Sequence, residues 1–263
     1  MQLGASIWGF YHQLSPDAWG SLADAVDAIL TVDPSLGVEI WGSRSLDDPT
    51  VEGSALGELI DACSGAAYTT LHVQGRHMAW TPRGLRREIA LAHQLGAETL
   101  ILHPVCLGLS MPDDRPDWPE IARITEDAAK FGVRLAVENL PDTMAFLDRI
   151  LEELGEDPET SNVGICIDLG HAALSRDAGR EPIRNYLERY AGQLVHLHLH
   201  DNGGTSDDHW IPGLGLIDWP QAVEAIHDVA YAGTAILEVY DPGLDAAHAV
   251  SEGLNLIRQH LQG

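Results

Sequence analysis

Residues 134–168 read RLAVENLPDTMAFLDRILEELGEDPETSNVGICID. RLAVEN (Arg134 to Asn139) and VGICID (Val163 to Asp168) are short, nearly unbroken apolar runs that each end on polar or acidic residues. TMAFLDRILEELG between them carries the periodicity of a helix. Apolar runs of that length on either side of a helix describe a strand–helix–strand crossover in a parallel sheet buried on both faces. The same unit recurs in both directions. Toward the N-terminus lie strands LGASIW (from Leu3), GVEIW (Gly37 to Trp41), YTTLHV (Tyr68 to Val73) and TLILHP, ending near His103. Their helices run from Asp17 to about Leu30, through ALGELIDAC from Ala55, through RGLRREIALAHQLG closing at Gly96, and through WPEIARITEDAAKFG. After VGICID come HAALSR and a periodic stretch near Ile183 to Tyr190. Strands LVHLHLHD (Leu194 to Asp201) and AILEVY (Ala235 to Tyr240) follow, with helices WPQAVEAIHDVAYAG and Asp245 to about Leu261. Eight strand–helix pairs with no leftover segment predict an α/β fold, a closed (β/α)8 TIM barrel formed as one domain over residues 1–263. An open doubly wound sheet would favour a Gly-rich phosphate loop after the first strand, and GASIWGFYH has no GxGxxG. Gly37, Gly96, Gly132 and Gly233 are read as helix C-caps before strands. The longest irregular stretch, Asn202 to Asp218, follows strand seven and reads as a functional loop.

Composition narrows the partners. The chain has 263 residues, with 15 Lys+Arg against 40 Asp+Glu, a formal net charge of −25. Lys130 is its only lysine, and the arginines form no basic stripe. Nucleic-acid binding draws most of its affinity from neutralising phosphates, so this charge argues against it. It reads instead as a solvated acidic surface suited to high salt. Cys63, Cys106 and Cys166 are odd in number and lack CxxC spacing, which argues against a disulfide framework and a thiolate zinc knot. No apolar run reaches the ~18 residues of a membrane span. The N-terminus shows no basic, apolar leader, so the expectation is a soluble, cytoplasmic protein. A small molecule is the expected partner, and self-association into a homo-oligomer is compatible with the pattern.

The chemistry collects at strand ends. His72 lies near the end of strand three, His103 at the end of strand four and Glu138 at the end of strand five. Asp168 ends strand six, with His171 three residues on. His198 is near the end of strand seven, Asp207 and His209 lie in the loop beyond it, and Glu238 is on strand eight. Side chains at strand C-termini of a barrel converge on one cup. Imidazoles and carboxylates gathered there suit a divalent Zn, Mn, Fe or Co ion, and a ring of four carboxylates would repel itself without one. Each residue alone has a plainer reading: a lone strand-end histidine is usually hydrogen-bonded structure, and a charge after an apolar run must be paired or metal-bound. His196, His198 and His200 share one strand face at different heights, so at most one or two of them reach a metal. Glu39, ending strand two, is a candidate to pair with an arginine or hold substrate, and His12 to contact substrate. His77, His93, His227, His248 and His260 read as structural or exposed.

At these residues the chain resembles the xylose-isomerase-like barrel superfamily of sugar and sugar-phosphate isomerases, epimerases and endonuclease IV. The resemblance rests on LAVEN, GICIDLGHA, HLHLHDN leading to DDHWIPGLGLIDW, and AILEVY. For the isomerases and epimerases it implies one metal held by Glu138, Asp168, His198 and Glu238, with His171 at the substrate. His198 is chosen because the family's ligand stands three residues before an acidic residue, here Asp201. For endonuclease IV the resemblance implies a three-metal site that adds His72, His103, His171, Asp207 and His209. The DNA-facing equipment of that enzyme is missing, since VQGRHMAW follows His72 and the loops lack clustered basic side chains.

The resulting expectation is a divalent-metal-dependent isomerase or epimerase of a small sugar, sugar-phosphate or cyclitol-like compound, using more than one metal if all nine ligands serve. Glu138 and Glu238 would act as acid and base around a metal-stabilised enediolate. His171, Arg76, Trp8 and Trp41, with Glu39 and His12, are the candidate substrate contacts. An endonuclease IV-like multi-metal phosphodiesterase and a metal-dependent lyase or dehydratase are the alternatives.

Overall fold

The computed structural model describes residues 1–13, 22–41, 54–73, 82–155 and 157–261. Eight strands close into a barrel in chain order: β1 (Gln2–Ser6), β2 (Gly37–Trp41), β3 (Thr69–His72), β4 (Thr99–Leu102), β5 (Arg134–Glu138), β6 (Val163–Asp168), β7 (Leu194–Leu199) and β8 (Thr234–Leu237). Every pairing is parallel, and β1 closes the ring by pairing with both β2 and β8. The helices of the outer ring include α1 (Trp8–Gln13), α2 (Leu22–Val32), α3 (Ser54–Cys63), α4 (Pro82–Gln94), α5 (Trp118–Lys130), α6 (Met144–Leu154) and α7 (Pro158–Ser161). After β6 come α8 (Leu169–Leu174), α9 (Pro182–Arg189), α10 (Trp219–Asp228) and α11 (Ala246–Leu261).

The local chemistry explains where these helices begin and which face they bury. Asp117 caps α5 by accepting from Glu120 N, with Pro119 in the first turn, and α5 then buries Ile121, Ile124, Thr125 and Ala128. That spacing is one helical stripe, and burying it against the barrel wall holds the helix in place. Asp218 caps α10 in the same way through Gln221 N. The main apolar core lies between strands and helices. A second, small apolar group, Ile101, Ala136 and Cys166, is separate from it. These three stand two residues before His103, Glu138 and Asp168. Strand side chains alternate with period two, so this group lies inside the barrel, one layer beneath those polar ends.

Three local expectations change. β1 stops at Ser6 and Trp8 opens α1. The next helix runs on to Val32, while the residues expected at its start, 17–21, lie outside the described residues. Gly96 and Gly132 have the left-handed backbone of a C-cap (φ 71° each), but Gly37 and Gly233 do not. Gly37 starts β2, and a Cβ there would come within 2.2 Å of the Tyr68 ring; at Gly233 it would meet the Tyr231 ring. Close approach, not chain reversal, requires those two glycines. All three cysteines are free and buried. No helix among the described residues is long and apolar enough to cross a membrane.

Candidate active site

The polar strand ends meet at the C-terminal mouth of the barrel, and Glu138 is their hub. Its Oε2 lies 2.8 Å from His72 Nε2 and 3.0 Å from His103 Nε2, and its Oε1 lies 3.3 Å from both His198 Nδ1 and His171 Nδ1. His198 Nδ1 is 3.9 Å from Asp168 Oδ2 and 3.8 Å from Glu238 Oε2. Beyond it, Asp207 Oδ2 faces His171 Nε2 at 3.1 Å and His209 Nε2 at 3.2 Å, and His200 Nε2 lies 2.9 Å from Asp168 Oδ1. Ligand atoms close enough to share a cation form three adjoining groups at the mouth, His72–His103–Glu138, Glu138–Asp168–His198 and His171–His200–Asp207–His209, and a fourth, Glu39–His196–His198, shares His198 with the second. Of the residues singled out as ligands, Glu138, Asp168, His198, His72, His103, His171, Asp207 and His209 fall in these groups, and Glu238 borders them, its Oε2 3.8 Å from His198 Nδ1 and 3.7 Å from His209 Nδ1.

Elements of the fold aim each ring. His72 Nδ1 donates to the Val73 carbonyl, His171 Nδ1 to that of Asn139 and His209 Nδ1 to that of Glu238, each at 2.9 Å. A carbonyl can only accept, so in each ring Nε2 is left facing the carboxylates. Asp168 caps α8, its Oδ1 accepting from His171 N at 2.7 Å, which leaves Oδ2 for the cup. Asn139 clamps the same corner by donating to Asp168 O and accepting from Asp168 N. His209 takes a left-handed backbone (φ 52°), held by the reciprocal main-chain bonds of Asp201 and Trp210 at 2.8 Å. Such strain persists only where surroundings impose it, and it gathers at functional sites. Trp8 stacks on His209 with ring centroids 4.1 Å apart, and Trp41 lies 5.2 Å from the His72 ring.

The electrostatics separate the two glutamates. Burial pushes the Glu138 carboxyl up, but the imidazoles of His198 and His103 outweigh it and hold Glu138 well below the usual carboxylate range. Burial raises Glu238 as well, and His198 and His209 do not offset it. Burial favours a neutral His209, but the bond to Asp207 and the Glu238 charge lift it to about 9.

Asp168 Oδ2 and Glu238 Oε1 are buried without a hydrogen-bond partner. Buried polar atoms without partners are costly and need an explanation. Here they belong to a mixed carboxylate–imidazole set, the donor chemistry of Zn, Mn, Fe or Co. The residues present fit a divalent metal centre.

Several functional positions differ from the sequence reading. Glu39 is fully buried one layer down and pairs with Thr70 and His198, not with an arginine, so it does not line the open cup. His200 joins the outer group although it was not singled out, and Asn139 escaped notice as a clamp. The alternation of HLHLH put three imidazoles on one face but could not say which neighbour each would meet. Arg76 and His77 lie outside the described residues, and so does the side chain of His12. His93 bonds the Phe131 carbonyl and His248 pairs with Glu252, both away from the cup.

The close packing behind His200 carries a prediction. A Cβ on Gly170 would fall 2.0 Å from His200 Cε1. Gly170→Ala is expected to cost about 1–3 kcal/mol from overpacking, read as a lower melting temperature in the metal-free protein. An unchanged melting temperature would show that His200 is not held there.

Comparison with known proteins agrees with this architecture. A family model described as xylose isomerase-like TIM barrel matches residues 61–260. An uncharacterised protein of Methanocaldococcus jannaschii is 26% identical over 163 residues, covering 59% of this chain and 55% of that one. The chain thus matches about half the length of such relatives. Inosose dehydratase of Lacticaseibacillus casei is 23% identical over 78% of this chain and 84% of its own. Among solved structures, an L-ribulose 3-epimerase superposes with a TM-score of 0.74 at 16% identity, covering 100% of this chain and 95% of that one. With the family model spanning well over half of its residues, the chain belongs to the xylose isomerase-like TIM barrel family.

Proposed function

We propose that this chain is a divalent-metal-dependent enzyme that isomerises or epimerises a small polyhydroxy carbonyl compound, a sugar, sugar phosphate or cyclitol derivative. One observation carries the reading: Glu238 presents a buried, unpartnered Oε1 at the edge of a complete carboxylate–imidazole set. Glu138, Asp168, His198 and Glu238 would hold the principal ion, and His72, His103, His171, His200, Asp207 and His209 further ones. A divalent ion bound there supplies Lewis acidity toward a carbonyl and its neighbouring hydroxyl, acidifying the C–H between them. Glu238 is the group placed to take that proton; returning it at the adjacent carbon isomerises the substrate, whereas inverting the same carbon needs the proton to come back from a second donor on the opposite face. Glu138 has both oxygens faced by imidazoles, which suits a ligand better than a second base. Trp8 and Trp41 brace the His209 and His72 rings and exclude water from those sides. The similarity to an epimerase and a dehydratase of polyhydroxy compounds supports this substrate class.

A second reading, multi-metal phosphoester hydrolysis, is favoured by one feature: the three ligand groups at the mouth adjoin, and two of them share Glu138. Clustered cations can generate hydroxide and stabilise a leaving oxygen. The net charge of −25 opposes a DNA substrate.

Both readings are tested on protein whose metal content has been measured, in low and in molar salt. Incubation with a panel of aldoses, ketoses and inososes in heavy water is expected to place deuterium on a carbon next to the carbonyl. A duplex containing an abasic site is expected to remain intact. Metal-dependent nicking without deuterium incorporation would replace the isomerase reading with the hydrolase.

A further inference from the structure

We infer that Glu39, deep on β2, is a positioning residue that fixes His198 as a ligand through Nδ1. This rests on the metal-centre reading above. His198 differs from its neighbours in what holds its second nitrogen. His72, His171 and His209 are anchored by main-chain carbonyls. His198 Nε2 instead lies 3.2 Å from Glu39 Oε2, a carboxylate, while its Nδ1 faces Glu138, Asp168 and Glu238. Glu39 cannot serve as a solvent-facing group, because neither it nor His198 is exposed at all. Its Oε2 is steadied by Thr70 Oγ1 at 3.0 Å, and His196 Nε2 stands 3.7 Å away with the ring's Nδ1 bonded to Thr234 Oγ1.

The physical consequence follows from the acceptor. A carboxylate can only accept, so it keeps the proton on Nε2 and leaves Nδ1 as the coordinating nitrogen. Its full charge also makes the ring a stronger electron donor to a cation than a carbonyl partner does. Glu39, His196 and His198 lie close enough together to bind a cation themselves, and Glu39 Oε1 and His196 Nε2 are buried without partners. That occupant would require His198 to give both nitrogens to metals at once. A hydrogen bond to Glu39 requires only one, and the geometry points to it.

The test is a zinc titration of the full chain against a chromogenic chelator, comparing wild type, Glu39→Gln and Glu39→Asp. Glu39→Gln is expected to bind the same number of ions as wild type, one of them about 10–100-fold more weakly. Glu39→Asp, which keeps the charge, is expected to recover part of the loss. In zinc-loaded wild type, nitrogen-15 spectra should show His198 coordinated through Nδ1 with an exchange-protected Nε2–H. A merely structural role for Glu39 would move neither the affinity of one ion alone nor that protection. Equal affinities in Glu39→Gln and wild type would overturn the proposal, as would loss of one whole ion, which makes Glu39 a ligand. Coordination of His198 through Nε2 in wild type would overturn it even if Glu39→Gln failed to fold. A wild type that binds no divalent ion would remove the metal-centre reading and this proposal together.

Discussion

Glu238→Gln is expected to lower turnover by about 10²–10⁴-fold, the usual contribution of a positioned general base. The substitution keeps the size of the side chain and removes the charge that accepts the proton. Glu238 follows β8 directly, where it is nearly fully buried, and its main-chain carbonyl holds His209. That carbonyl survives the substitution, so the outer ligand group should keep its shape. Because Glu238 is proposed both as base and as one of four ligands to the principal ion, metal content measured alongside separates the two ways activity can fall: loss of the base alone leaves the ion in place, whereas loss of the ligand releases it. Residual exchange of substrate deuterium with solvent is the sharpest readout, since it follows proton abstraction alone. A Glu238→Gln protein that retains full turnover would remove Glu238 from the mechanism.

Asp201→Ala is the second large effect, and it acts on the loop that brings Asp207 and His209 to the cup. Asp201 is fully buried, and its two oxygens accept from Asn202 N, Gly213 N, Ile217 N and Trp219 Nε1 at 2.8–3.1 Å. One carboxylate thereby ties together both ends of the irregular stretch between β7 and α10. Losing it strands the buried Asn202 and Trp219 donors, each costing about 1–3 kcal/mol, while exposed Gly213 can turn to water. A net destabilisation of about 2–4 kcal/mol is expected, read by denaturant unfolding of the metal-free protein. The main-chain Asp201–Trp210 bonds survive the substitution, but the loop that carries Asp207 and His209 loses the carboxylate that ties its two ends, so the outer ion is expected to be lost while binding at Glu138 persists. Unchanged stability together with an unchanged ion count would refute this account of the loop.

Much of the site was legible before any coordinates, for a simple reason. Eight short apolar runs, each followed by a helix, admit few topologies, and a parallel barrel brings every strand's C-terminal end to one place. Histidines and carboxylates at those ends had to meet, which position alone implies; the set Glu138, Asp168, His198 and Glu238, with His198 chosen over His196 and His200, came from the resemblance to the family. The glycine readings show the limit. Gly37 and Gly233 carry the sequence mark of helix ends, yet they are required by the Tyr68 and Tyr231 rings, which pack from residues that spacing does not register.

What the sequence by itself determined was therefore the architecture, the end of the barrel that holds the chemistry and the kind of donor gathered there. These follow from period-two and period-3.6 patterns, which are local properties of the chain. What only the tertiary structure decided was which atom meets which. It made Glu138 the hub of four imidazoles, left Glu238 with a free oxygen, put His200 beside His171, Asp207 and His209 and sank Glu39 beneath His198. Those outcomes depend on the stagger between strands and on the bonds that orient each ring. Neighbours across a barrel are tens of residues apart in the chain, and no local pattern encodes a distance between them.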